Sequence, residues 1–300
     1  MSAWSADAPA KINRELRVGA RRSDGFHDLL SRFSSIDLSD TLTVEASDRL
    51  ELLCRGEPLD CGESNLVLRA ARGLALEAGV EPRARIVLDK RIPVGAGLGG
   101  GSSDAAAALR LLRRLWDVDP SGEIVSRVAP TLGSDVPYFL VGGDADVSGR
   151  GEHVVPRPDA PAAELLLLIP PFPLSTREVF EAHARRTGEG ARVAERLDLE
   201  TSGKFFGPNE LASAVLEVEG AMKAYLESAR QVGSDSSLTG SGSTVVLIGA
   251  GTGAESWLAQ RHPEARFERT RTLGRAEYVS RTTPPGGRNG HYPGQSLPGR

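Results

Sequence analysis

Five of the seven residues from Gly95 to Gly101 are glycine, and the run opens directly into DAAAALRLLRRLW, a strong helix-forming stretch from Asp104 to Trp116. A backbone this rich in glycine reaches positive φ and lets other atoms approach closely. A helix N-terminus turns unpaired N–H groups and a partial positive charge toward an anion. Residues 93–103, PVGAGLGGGSS, therefore read as a phosphate cradle between a strand (Ala84 to Asp89) and a helix, with Ser102 or Ser103 as the N-cap. A tight turn without a ligand is the competing reading. Gly95, Gly97 and Gly100 also satisfy G-x-G-x-x-G, and Asp117 follows at about the 20-residue spacing of a dinucleotide site. Asp117 closes the helix with no second strand before it, so the Rossmann context is missing. No Gly-Lys-Ser or Gly-Lys-Thr occurs, which excludes a Walker loop.

The cradle sits among alternating elements. Pro9 to Val18, Leu38 to Ala46 and Leu50 to Cys54 read as strands. Leu66, Ala70, Leu74 and Ala78 mark one face of a helix stopped by Gly79. A second helix is expected over Glu123 to Ala129, and the polar, proline-rich stretch 150–161 reads as a domain boundary. Beyond it come a buried strand (Glu164 to Ile169), helices at Thr176 to Arg186, Asn209 to Val218 and Gly220 to Arg230, and a glycine turn in SLTGSGS. A strand (Thr244 to Ile248), a helix (Ala254 to Arg261) and a strand near Arg266 to Thr272 follow. Without strict βαβ repetition this is an α+β chain in two units, 8–158 and 159–282. From Thr283 to Arg300, nine of 18 residues are proline or glycine, and that tail is expected to be disordered.

Composition narrows the partners. With 36 basic against 40 acidic residues the net charge is −4, so no global positive field exists to hold a nucleic acid. The longest apolar run, Leu165 to Ile169, is far short of the roughly 20 residues of a membrane span. The opening MSAWSADAPA has no secretory pattern, which makes the cytoplasm the default location. Cys54 and Cys61 are too few for a disulfide framework or a zinc site and read as ordinary thiols. Only four of the 36 basic residues are lysine (Lys11, Lys90, Lys204, Lys223). In an arginine-rich chain a lysine marks a place where a compact ammonium is wanted, which draws attention to Lys11 in APAKIN.

Alternation puts Lys11 and Asn13 on one strand face. Alone, Lys11 is an edge lysine, Asp135 in GSDVPYF is a turn aspartate ahead of Pro137, and His27 is a surface turn histidine. Phosphoryl transfer gives them a common use, because it needs charge neutralisation on the moving group and an acceptor for the hydroxyl proton.

The order PAKIN, PVGAGLGGGSSDAAA, LGSDVPYFLVGGDA, LTGSGST resembles the GHMP kinases, small-molecule kinases that include galactokinase, homoserine kinase and mevalonate kinase. RRSDGFHDL (21–29), ESNLVLRAA (63–71) and the fully written glycine motif resemble, more narrowly, the branch acting on 4-diphosphocytidyl-2-C-methyl-D-erythritol in the non-mevalonate isoprenoid route. The resemblance spans about residues 8–280. It implies a two-domain GHMP kinase fold, with a ribosomal protein S5 domain 2-like N-terminal domain and a ferredoxin-like C-terminal domain. It implies transfer of the γ-phosphate of ATP, used as Mg-ATP, to the 2-hydroxyl of the cytidylyl substrate. By position it assigns Asp135 as base and Lys11 as its cationic partner. The ATP phosphate loop falls on Pro93, Val94, Gly95, Ala96, Gly97, Leu98, Gly99, Gly100, Gly101, Ser102 and Ser103, with Asn65 and Leu66 near the adenine. Phe26, His27 and Phe180 match the cytosine-binding residues, and Asn13 is a further substrate contact. Stacking holds a flat base while a histidine reads its edge.

Two departures stand out. The family usually has tyrosine at Phe26, and apolar residues where Arg14 and Glu15 stand; alternation would group Arg14 with Ile12, Leu16 and Val18, where a buried charge needs a partner. Magnesium ligands are left open, with Ser102, Ser103 and Asp135 as candidates beside phosphate and water. No protein partner is expected. The competing readings are a GHMP kinase for homoserine or a mevalonate-like alcohol and a ligand-binding regulator without turnover; the aromatic residues oppose the first and the retained Lys11 and Asp135 the second.

Overall fold

The structure, a computed structural model, describes residues 3–187, 197, 204–233 and 235–284. Its spine is an antiparallel pair of very long strands, β1 (Trp4–Arg21) and β2 (His27–Glu45). The sheet continues through β3 (Leu50–Gly56), β4 (Ala84–Lys90), β5 (Ala145–Gly149), β6 (His153–Pro156), β7 (Glu164–Ile169), β8 (Asp235–Leu238), β9 (Val245–Ile248) and β10 (Arg266–Leu273). Strand order is β3-β4-β2-β10-β7-β9-β8, with β1 and β5 also paired to β2 and β6 to β5. All pairings are antiparallel except β3 with β4. Strand β2 thus touches four partners, and β10 joins the two halves through Thr272 and Leu273 against Ile36 and Ser35.

The first half packs α1 (Leu66–Ala78), α2 (Gly100–Leu115), α3 (Glu123–Leu132) and the single turn α4 (Val136–Phe139) on one sheet face. Helix α2 is buried nearly all round: Ala105 to Leu109, Leu111 and Leu112 are fully covered, and each leucine contributes about 2 kcal/mol by leaving water. Four consecutive alanines let that helix lie close to the sheet. The second half packs α5 (Thr176–Thr187), α6 (Ala212–Val218), α7 (Met222–Val232) and α8 (Ala254–Arg261) around Leu166, Leu168 and Leu247. Between the two cores, Ala10, Ile12, Ile36, Leu98, Leu167 and Val246 form a third that runs beneath the glycine loop.

Several expectations are corrected. Helix α2 begins at Gly100, not Asp104; its N-cap is Gly99 at φ 72°, and neither serine caps it. The hydroxyl of Ser103 instead donates to the Pro9 carbonyl at 2.7 Å, tying the helix to β1. Asn209 to Leu211 precede α6 rather than opening it. The polar stretch 150–161 contains β6 and the tip of a hairpin, and a helix not foreseen, α9 (Arg275–Thr282), closes the described chain. Cys54 and Cys61 are joined in a disulfide across a Cα separation of 6.3 Å rather than being thiols. The tail expected to be disordered lies, from residue 285 on, outside the described residues.

Candidate active site

The first turn of the site is a β-bulge. Pairing of β1 with β2 shifts register between Asn13 and Glu15, so the inward-outward phase changes there. Before the bulge Lys11 and Asn13 face the cavity; after it Leu16 does. Arg14 therefore leaves the row of Ile12, Leu16 and Val18 in which alternation had placed it. Its guanidinium meets Asp144 Oδ2 at 3.3 Å, donates to the Phe205 carbonyl at 3.1 Å and lies 4.3 Å from the Phe205 ring. The charge has its partner, away from the cavity. Glu15, fully buried, accepts from Arg17 at 2.8 Å.

Lys11 is 3% exposed. Its ammonium donates to Asn13 Oδ1 at 2.7 Å and to the Gly97 carbonyl at 3.1 Å, and stands 3.7 Å from Asp135 Oδ2. Burial pulls its pKa below the ordinary lysine value, and the charge of Asp135 and a hydrogen bond to it act in the opposite sense. Asp135 stands at the N-cap position of the one-turn α4 with its carboxylate making no capping hydrogen bond, and the turn is locked from below: the Tyr138 hydroxyl donates to the Gly143 carbonyl at 2.8 Å and meets Ser35 Oγ at 2.8 Å. The Asp135 side chain remains about a third exposed, open to a ligand on one side.

The two glycine-serine loops interlock above this pair. A Cβ on Gly97, at φ 77°, would lie 2.3 Å from the Thr239 carbonyl and 2.9 Å from that of Gly242. One on Gly99 would meet the Phe139 ring at 2.8 Å and Lys11 Cε at 3.1 Å. These glycines are required by close approach as well as by φ. Buried Thr239 in turn accepts the Asn13 N–H at 2.9 Å. Loop and strand β1 are one hydrogen-bonded unit.

These elements enclose a cavity of about 970 Å³. Lys11, Asn13, Phe26, His27, Leu66, Pro93 to Ser102, Asp135 and Phe180 line it together, so the sequence-assigned residues converge apart from two. Ser103 is turned to Pro9, and Asn65 sits behind Leu66 as the N-cap of α1, accepting from Val67 N–H at 2.9 Å. At the far end His27 and Phe180 have ring centroids 5.4 Å apart, while Phe26 is 47% exposed. His27 Nδ1 is 2.9 Å from the Gly19 carbonyl, which makes Nδ1 the donor and leaves Nε2 as acceptor in the neutral ring. Sequence reasoning missed Lys90, Arg21, Arg150 and Thr176 as wall residues. The scarcity of lysine was a signal that Lys90 deserved the scrutiny given to Lys11. Its ammonium is paired with Asp40 and, at 2.8 Å, with Asp104. The two carboxylates outweigh burial and raise its pKa.

A glycine cradle meeting a lysine–aspartate pair on this sheet defines a GHMP kinase, and residues 65–143 match the GHMP kinases N terminal domain. The fold alone is shared at 15% identity with homoserine kinase from Cytophaga hutchinsonii, TM-score 0.58. A solved 4-(cytidine 5'-diphospho)-2C-methyl-D-erythritol kinase is 32% identical with TM-score 0.72, over 90% of this chain and 99% of that one. The relative from Rhodococcus jostii named 4-diphosphocytidyl-2-C-methyl-D-erythritol kinase is 36% identical over 267 residues, 80% of this chain and 82% of the relative. The one from Granulibacter bethesdensis is 47% identical over 197 residues, and that match spans 65% of the relative, just under two thirds. The chain belongs to the 4-diphosphocytidyl-2-C-methyl-D-erythritol kinase family.

Proposed function

We propose that the protein transfers the γ-phosphate of ATP to the 2-hydroxyl of 4-diphosphocytidyl-2-C-methyl-D-erythritol, a step of the non-mevalonate isoprenoid route. The observation that carries this reading is the 3.7 Å approach of Lys11 Nζ to Asp135 Oδ2 inside a cavity that has the glycine loop at one end and Phe26, His27 and Phe180 at the other. Asp135 accepts the hydroxyl proton as the new O–P bond forms and the bond from Pγ to the β-phosphate bridging oxygen breaks, with ADP leaving. Lys11 orients that carboxylate and offsets charge on the transferring group. Asn13 contacts the acceptor. Backbone N–H groups of residues 95–102 take the phosphates, and Leu66 with Pro93 and Val94 offers an apolar seat for the adenine.

Magnesium fits this wall. Among the described residues no cluster of three His, Cys, Asp or Glu side chains exists, and an ion that takes most of its shell from phosphate and water needs none. Ser102 and Asp135 are the wall oxygens that would hold it, and bound there it would neutralise phosphate charge. Ser103, committed to Pro9, drops out as a candidate. The two units 8–158 and 159–282 correspond in this reading to the S5 domain 2-like and ferredoxin-like domains.

The test is ADP release with Mg-ATP and the cytidylyl alcohol, run beside homoserine and mevalonate and repeated with Asp135→Asn. Turnover confined to the cytidylyl substrate and lowered about 10²–10⁴-fold in the variant, with the ATP KM nearly unchanged, is the expected result. Wild-type turnover in Asp135→Asn would remove Asp135 as the base, and equal turnover of homoserine would remove the substrate assignment.

A further inference from the structure

The cavity wall carries five cationic side chains, Lys11, Arg21, Lys90, Arg150 and Arg177, and three carboxylates, Asp24, Asp135 and Glu181. Lys11 faces Asp135, Arg177 donates to Glu181 at 2.9 Å, and Lys90 is held between Asp40 and Asp104. Asp24 is engaged by Arg22 at 3.2 Å and by the Phe26 N–H at 3.1 Å. Each wall carboxylate thus has a cation at closer range than Arg21 or Arg150: among the described residues neither of these two forms an ion pair with a carboxylate, and Glu181 feels the charge of Arg21, and Asp24 that of Arg150, only from beyond contact. Both are anchored through neutral carbonyls instead. Arg21 Nε donates to Gly25 at 3.2 Å, and one Arg150 nitrogen donates to Pro130 at 2.9 Å. A guanidinium has five N–H donors, so most of each fork is left for a ligand.

Their position is as specific as their charge. Arg150 stands 5.0 Å from the Phe26 ring. It is carried on the β5–β6 hairpin tip, where the Cβ position of Gly151 lies 3.0 Å from Ser134 Cβ, next to Asp135. It therefore lies between the aromatic end of the cavity and the catalytic carboxylate. Arg21 flanks the same end from the last position of β1, bonded to Gly25 in the turn that leads to Phe26 and His27.

We propose that Arg21 and Arg150 clamp the diphosphate of the cytidylyl substrate, and that Arg150, with Phe26 on one side and the Ser134–Asp135 turn on the other, sets the distance from base to acceptor hydroxyl. This rests on the cytidylyl reading of the site. A planar fork suits bidentate contact with phosphate oxygens, and the pair supplies two positive charges for an anion carrying two.

The experiment is calorimetric titration of the wild-type protein with cytidine and with CDP, the ATP end being filled first with a non-hydrolysable ATP analogue. Repeats use Arg21→Gln, Arg150→Gln and the double variant. The wild type is expected to hold CDP about tenfold or more tighter than cytidine. The double variant should lose that preference while its affinity for cytidine moves less than about threefold. Arg150→Lys should restore part of it, and the KM for the cytidylyl alcohol should rise in the double variant more than kcat falls. An unchanged CDP-to-cytidine ratio in the double variant would overturn the clamp and leave the base-binding reading standing. Failure of the wild type to bind either nucleoside would overturn that reading and the clamp with it.

Discussion

At the residue scale the site depends on how tightly Lys11 is fitted. Its Cε packs against Gly99 and its ammonium is 4.7 Å from the Phe33 ring, with Asn13 and Gly97 as fixed acceptors. A guanidinium has the same charge and the wrong shape, so Lys11→Arg is expected to lower kcat about 100-fold or more although the charge is kept. Steady-state turnover within a few-fold of wild type would show that charge alone suffices. Thr239 makes a parallel case. Thr239→Val leaves the buried Asn13 N–H without its acceptor, at a cost of about 1–3 kcal/mol, and is expected to reduce kcat while Thr239→Ser restores it. Equal loss in both variants would assign Thr239 to packing rather than to its hydroxyl.

At the scale of elements the glycine loop is the feature that cannot be altered piecemeal. Gly97→Ala places a methyl against two backbone carbonyls at positive φ, and a destabilisation of about 2 kcal/mol or more is expected from denaturant midpoints. This is also where legibility from sequence divides. Glycine density, the alanine run of α2 and the stop at Gly79 act within a few residues, so the strand–loop–helix order and the cradle were readable. The serine N-cap was misread because two serines at a helix start satisfy the local rule equally well. Gly99 at positive φ takes that place because Ser103 is drawn to Pro9, 94 residues earlier in the chain. Arg14 was misplaced because a one-residue bulge leaves no mark in hydrophobic alternation. Arg21 and Arg150 were missed because pairing, the property that singles them out, is fixed only when all the wall carboxylates are in place.

At the scale of the whole molecule, two buried histidines make acid the weak side. His183 is pushed below its ordinary pKa by burial and then by His27; His262 is lowered by burial against the pull of Glu264. A histidine with a depressed folded-state pKa binds fewer protons folded than unfolded, so its contribution is complete above about pH 6.5 and is lost as pH falls through the folded value. The urea midpoint is expected to drop between pH 7 and pH 5, and less so in His183→Gln. A midpoint flat across that interval would contradict both assignments.

Helix α9 gives the molecule a last constraint. Tyr278, fully buried, fills the space over Gly142 in the first core, and its hydroxyl donates to the Phe139 carbonyl at 2.7 Å, at the end of the turn that Asp135 begins. A piece supplied near residue 280 therefore finishes a pocket begun at residue 11. On the ribosome the glycine loop, Lys11 and Asp135 emerge long before Tyr278, so a nascent chain lacks this hydrogen bond to the turn that Asp135 begins until α9 has cleared the exit tunnel. Synthesis that stops short of Tyr278 leaves a chain with every cavity-lining residue present, and the turn below Asp135 held by Tyr138 but without its tie to the C-terminal helix.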